Sequence, residues 1–222
     1  MRRTVEGLKR VGLVFCFALA VNAVTAAQQT PHHAAAAPAA ASQLTAAEAL
    51  SRYEQLLKAA TDASQKFYLT NKIVPTALAA DEKEKAKTYA LSLLEQAASM
   101  RNNWNYGNAV HIGNIVLGQL ALDAGDVAEA RRLLLEAGKT PGSPQLNSFG
   151  PNMMLAKELL SKGEKETVIE YLNLCAKFWL MHNGKLDIWK AAAAKGETPD
   201  FGPSLNAHLT LWRFENWDKL KT

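Results

Sequence analysis

The chain has 222 residues, 25 Lys and Arg against 21 Asp and Glu, and a formal charge of +4. Arg2, Arg3, Lys9 and Arg10, with the single acid Glu6, lie in the first 27 residues, which leaves 21 basic against 20 acidic residues in the remainder. That near-neutral remainder excludes an electrostatic case for nucleic acid or an anionic membrane, and its one cysteine, Cys175, excludes an intrachain disulfide.

In chain order, a basic start, an apolar run from Val11 to Val21 and small residues thereafter read as a secretory signal peptide, with cleavage expected after Ala26 or Ala27. The run is interrupted at Asn22, short of the roughly 20 apolar residues a membrane span needs, so no membrane insertion is expected once the signal is removed. Phe15 precedes Cys16, where a lipidation signal requires a small residue. Residues 28–43, nearly all Ala, Pro, Gln and His, carry too little large apolar surface to offset the entropy of ordering, and a disordered linker is expected. His32 and His33 on such an arm make only a weak metal site. Residues 44–222 are long enough for one domain with its own core. Secretion places it in a periplasmic or extracellular compartment.

Thr45-Ala46-Ala47-Glu48 has the form of a capping box, followed by an apolar stripe at Leu50, Tyr53, Leu57 and Ala60. Pro75 predicts a loop, because proline lacks the amide proton and disfavours helix in the residue before it. Asp81 with Glu84 predicts a capped helix running to about Met100, and the Asn-rich stretch 102–108 predicts a connection. Asp126 with Glu129 repeats the cap directly after Gly125, which suits a left-handed helix end. Strand signals are nearly absent, so the fold is predicted to be all-α.

Leu117-Gly118, the turn Gly125-Asp126, and Ala130, Leu134 and Ala137 resemble a tetratricopeptide repeat, in which small residues let two antiparallel helices approach closely. Asn114, Ala121 and Leu134 stand where that family carries Trp, Tyr and Phe. A shift of about 38 positions sets Asn152, Leu155, Ala156, Leu159, Gly163, Val168, Leu172 and Cys175 on the corresponding residues. The clearest repeats are thus about 111–138 and 149–176. The extra residues are expected in the loop Lys139 to Asn147. A shift of about 40 in the other direction sets Ala90, Leu94 and Ala97 on Ala130, Leu134 and Ala137, with the helix near Thr45 as the first of that pair. The resemblance implies antiparallel helix pairs in a short right-handed superhelix, closed by aromatic-rich C-terminal capping helices at about Lys185 to Lys195 and Ser204 to Lys219. Trp179, Trp189, Trp212, Trp217, Phe178, Phe201 and Phe214 would supply those caps.

The same resemblance implies a mostly apolar concave groove at Ile112, Ile115, Gln119, Leu122, Asp123, Met153, Lys157 and Leu160, for a protein or peptide partner and without a carboxylate clamp. An exported interaction or scaffold module, an adaptor or assembly factor, is the function this implies. The alternative is a glycan- or small-ligand-binding protein, or an enzyme, with its site in the amide-rich cluster Asn103, Trp104, Asn105, Asn108 and His111, which pairs hydrogen-bonding amides with an aromatic face. His111 is expected to be a partly exposed helix residue. His111, His182 and His208 follow no metal-ligand spacing, and Cys175 falls where the repeat wants a small buried residue. No catalytic, metal or cofactor constellation stands out, so a non-enzyme without cofactor is expected.

Overall fold

The computed structural model describes residues 44–210 and 213, all within one compact unit, Ser42–Thr222. Among them there is no strand. The chain forms α1 (Ala46–Ala59), α2 (Ala63–Ala79), α3 (Lys83–Ser99), α4 (Tyr106–Asp123), α5 (Val127–Gly138), α6 (Pro144–Phe149), α7 (Met154–Ser161), α8 (Lys165–Cys175), α9 (Lys185–Ala194) and a short 3-10 helix, Gly202–Asn206. None of these helices is long and apolar enough to cross a membrane. The expected signal and linker, with His32 and His33, and the terminal aromatics Trp212, Phe214 and Trp217 lie outside the described residues.

Local chemistry sets several helix ends as the sequence indicates. Thr45 Oγ1 accepts from the Glu48 amide, and the Thr45 amide donates to the Glu48 carboxylate at 2.7 Å. Asp126 accepts from the Glu129 amide at 3.0 Å.

Two expectations about helix ends are overturned. Pro75 lies inside α2, not in a loop. Proline costs a helix interior about 3 kcal/mol in isolation. Here Ile73, Val74, Pro75 and Ala77 are all buried, and burial of such side chains outweighs that cost. Asp81 makes no cap for α3, whose N-cap is Glu82. With φ 58°, Asp81 instead ends α2 in a left-handed turn, and the Glu82 amide reaches back to the Ala77 carbonyl at 2.9 Å.

That turn recurs. Gly125 (φ 83°) and Gly163 (φ 85°) hold the same place, with Asp126 N–H donating to Ala121 O and Glu164 N–H to Leu159 O. The hairpins are therefore α2/α3, α4/α5 and α7/α8, and the first helix of the weakest pair is α2, not the one starting near Thr45. Counted from each turn, Ala86, Ala90 and Leu93 match Ala130, Leu134 and Ala137, and Val168, Leu172 and Cys175. All nine are fully buried. The shift of about 40 positions expects Leu94 in this set, but Leu94 is only half-buried. The segment between the second and third hairpins is partly helical, as α6, with Ser143 capping it.

α4 is the centre of the molecule. It packs against α2 and α3 on one side and α5 and α7 on the other, and 11 of its 18 residues are buried. Ala109, Ile112 and Val116 join the apolar cluster of α1–α3, while Ile115 and Leu122 join that of α5, α7, α8 and α9. Its small residues permit this crowding. A Cβ on Gly118 would strike Leu155, and one on Gly107 would strike the carbonyl of Gly142. Phe178, Trp179, Trp189 and Phe201 close the C-terminal cluster, with ring centroids of Trp179 and Trp189 5.5 Å apart.

Enclosure of α4 changes the expected groove. Ile112, Ile115, Gln119, Leu122, Met153 and Leu160 are buried, and only Asp123 and Lys157 are exposed, so these eight residues line no open surface together.

Candidate functional site

A pocket of about 140 Å³ opens where α2, the loop before α4, the first turns of α4, α6 and His208 meet. α2 supplies Tyr68, Asn71 and Lys72; the loop and α4 supply Trp104, Asn105, Asn108, His111 and Ile112; α6 supplies Gln145 and Leu146. Trp104 is 54 % exposed at the rim, its ring 6.0 Å from that of Tyr68, and the Lys72 ammonium lies 5.2 Å over Tyr68.

A chain of amides holds the wall. Asn103 Oδ1 accepts from the Asn105 backbone amide at 2.9 Å. Asn108 Nδ2 donates to Asn105 Oδ1 and to Gln145 Oε1, each at 3.1 Å, while Asn108 Oδ1 accepts from the Ser143 hydroxyl. Thr140 Oγ1 donates to Gly107 O at 2.8 Å, which fixes the approach of the α5–α6 loop to α4. Gln145 is thus carried to the pocket by α6.

Two polar atoms of the wall are left over. Asn105 is 1 % exposed, and its Nδ2 finds no acceptor among the described residues; Asn71 Oδ1, equally shut off from solvent, finds no donor. Burying an amide group without a partner costs about 1–3 kcal/mol, and such groups in native proteins call for an explanation. Separately, Pro75 has no N–H to donate to the main-chain carbonyl of Asn71 one turn earlier.

His111 is buried and not partly exposed as expected. Both its nitrogens are engaged: Nδ1 lies 3.1 Å from Ala137 O, to which only an N–H can donate, and Nε2 accepts from the Asn152 amide at 3.0 Å. Tyr171 donates its hydroxyl proton to Asn152 O at 2.8 Å, so this cluster ties α4 to the end of α5, the start of α7 and α8. Burial, and secondarily His208 beside it, lowers the His111 pKa to about 3. His208 is lowered too, by burial above all; its Nε2 lies 3.1 Å from Gly150 O. Both imidazoles are neutral at pH 7, and His111 serves the scaffold and not a ligand.

No carboxylate lines the pocket. Among the described residues no group of three His, Cys, Asp or Glu is placed to hold a metal ion; His182 sits apart, against Trp179. Burial pushes the Cys175 thiol well above its usual range, which removes the thiolate a nucleophile needs. The lining offers amides, an aromatic rim and one ammonium.

From the sequence cluster, the pocket gathers Trp104, Asn105, Asn108 and His111, and Asn103 braces it from behind. Tyr68, Asn71, Lys72, Gln145 and His208 were missed. The available signal was Asn71-Lys72 interrupting an otherwise apolar helix, masked by the expectation of a loop at Pro75.

Elsewhere, α3 and α5 wall a trench of about 850 Å³ over α4, floored by Leu94, Leu117, Leu120 and Leu133. Leu91 is 54 % exposed there. The rim ions are largely paired, Lys83 with Asp123 at 2.7 Å and Arg132 with Glu129 at 2.6 Å. This open face differs from the groove implied by the repeat resemblance and shares only Asp123 with it.

Compared with known proteins, the chain matches no family model, no curated protein and no solved structure.

Proposed function

We propose that this chain is an exported, non-enzymatic binding protein, built on degenerate tetratricopeptide-like hairpins, that holds a small polar group of its ligand in the pocket between α2, α4 and α6. The observation that supports the reading is the pocket itself, an opening of about 140 Å³ lined by Asn71, Asn105, Asn108 and Gln145 with the half-exposed Trp104 at its rim. Isotope-labelled protein titrated with a panel of small saccharides, acyl amides and amino acids tests this by NMR. A binder should shift the Asn105 side-chain amide and the Trp104 indole together. A panel that leaves both signals unmoved would contradict the reading.

Export rests on the N-terminal pattern. Native protein should begin near Ala27 or Gln28, and recovery of Met1 by N-terminal sequencing would reject cleavage.

The trench over α4 favours a second reading, an adaptor that seats an amphipathic helix of a partner protein. Its leucine floor suits an apolar stripe, and five lining carboxylates against three cations favour basic flanks on the guest. In affinity capture from the envelope fraction, Leu91→Asp should lose a partner that the wild type retains. Identical captures would contradict this reading.

A further inference from the structure

We infer that the outer face of α9, with the loop before it, pairs with the same face of a second copy of this chain, in an antiparallel dimer whose two-fold axis passes at Ala191. Among the described residues six large hydrophobic side chains are exposed. Four of them, Phe149, Leu180, Met181 and Ile188, lie at this end of the molecule, each more than half exposed. They gather around the buried Trp179. Gly150, next to Phe149, is packed on that ring, since a Cβ there would stand 2.7 Å from the indole. The Leu180 amide donates to Asn147 Oδ1 at 3.0 Å, which ties the loop to α6. On the α9 side, the Lys185 ammonium lies 5.9 Å over Trp179 and the Trp189 ring 5.5 Å from it, and Ile188 is one turn beyond Lys185. None of the four lines the pocket or the trench.

α9 buries Leu186, Trp189 and Ala193 and turns Ile188, Ala191 and Lys195 outward, at the spacing of a single stripe. Grouped apolar side chains on a folded surface mark an interaction site. The surrounding charges select the partner. Lys185 and Lys195 alternate with Asp187 and Glu197 along this segment. An anionic lipid surface calls for cations alone. A symmetric dimer instead requires that one position meet another and the reverse. Placed antiparallel about Ala191, each copy's Asp187 lies level with the partner's Lys195 and its Lys185 with the partner's Glu197, so both pairs are of opposite sign and each occurs twice. Ile188 comes level with the partner's Ala194, whose small side chain leaves it room. Asp187 engages Lys190 of its own helix through Oδ1 at 3.0 Å, and the second oxygen of a carboxylate accepts as well. Residues 180–198 with Phe149 number about 20, which reaches the lower bound of a standard interface on one side.

Sedimentation of the purified native protein tests the assignment, and a monomer–dimer equilibrium is expected in the micromolar range. Ile188→Glu should raise the dimer dissociation constant by about tenfold or more, because it sets two carboxylates in the apolar seam. Asp187→Lys should do the same by setting like charges level with each other. Combining it with Lys195→Asp should bring association back to within a few-fold of the wild type, since that exchange restores opposite signs at the two positions. All three side chains are exposed, so circular dichroism should show unchanged helix content. In Ala191→Cys a short bifunctional maleimide should give a covalent dimer, while the wild type, whose Cys175 is buried, gives none. A protein that sediments as a monomer throughout the micromolar range would overturn the inference. So would a dimer that Ile188→Glu leaves intact, or a double exchange as weak as Asp187→Lys alone. A monomer that floats with anionic phospholipid vesicles would also overturn it and give the face to a lipid surface.

Discussion

Asn105 and Asn71 lie far apart in sequence yet both line one small pocket, and Asn105 Nδ2 and Asn71 Oδ1 are shut off from solvent with no partner among the described residues. His111, between them and the core, is the opposite case: every hydrogen-bonding position it has is taken. His111 is thus part of the scaffold. It also fixes a pH dependence. The His111 pKa is about 3 in the folded protein and near 6.5 in the unfolded chain. Above pH 6.5 the group is neutral in both states and contributes nothing to the slope. Below it the unfolded chain takes up a proton that the folded protein refuses, so stability falls as pH falls, down to about pH 3. Between pH 7.5 and 5 the loss from His111 alone is about 2 kcal/mol, with His208 adding in the same direction. Urea unfolding at the two pH values measures it, in a window above the range where carboxylates titrate. Equal stabilities would show that His111 is solvated in the folded state. The sequence marked the asparagine cluster correctly as polar and aromatic, but it gave His111 a partly exposed place. Its partners, Ala137 and Asn152, lie 26 and 41 residues away, where no local pattern reaches.

At the scale of elements, each hairpin turns on one left-handed residue, and the first uses Asp81 where the others use glycine. A left-handed residue with a Cβ costs about 1–2 kcal/mol. Asp81→Gly is therefore expected to stabilise the protein by about 0.5–1 kcal/mol in denaturant unfolding, since glycine also frees the unfolded chain. A destabilisation would mean that the Asp81 side chain does more than occupy the turn. Gly107→Ala runs the other way. Its methyl would collide with the Gly142 backbone carbonyl, which a rotamer change cannot relieve, so a loss of about 3 kcal/mol is expected. The α5–α6 loop, and with it α6 and Gln145, should move as well, and a near-neutral result would place the loop elsewhere. The second and third hairpins were legible because their turns are glycines and the positions following them are small or apolar. The first was read in the wrong register because its turn is an aspartate, which looks like a helix start, and because Pro75 looks like a helix end. Burial of α2 outweighs that local signal.

Among the described residues, α4 is wrapped from both sides, so six of the eight residues that a tetratricopeptide resemblance places in a concave groove are buried, and only Asp123 and Lys157 are exposed. The all-helical class was legible from capping and periodicity. The enclosure of α4 was not, because it depends on how three hairpins and α6 close around one helix. Two openings lie at the margin of that core, the polar pocket and the apolar trench, and the proposed function rests on the first. Asn71→Leu tests this most directly. The variant removes an acceptor without a donor among the described residues and improves helix propensity, so free-protein stability should be unchanged or higher by about 1 kcal/mol, while the rise in unfolding temperature produced in the wild type by a binder from the small-molecule panel should vanish. A variant that is clearly less stable, or that keeps the ligand-induced rise, would contradict the account.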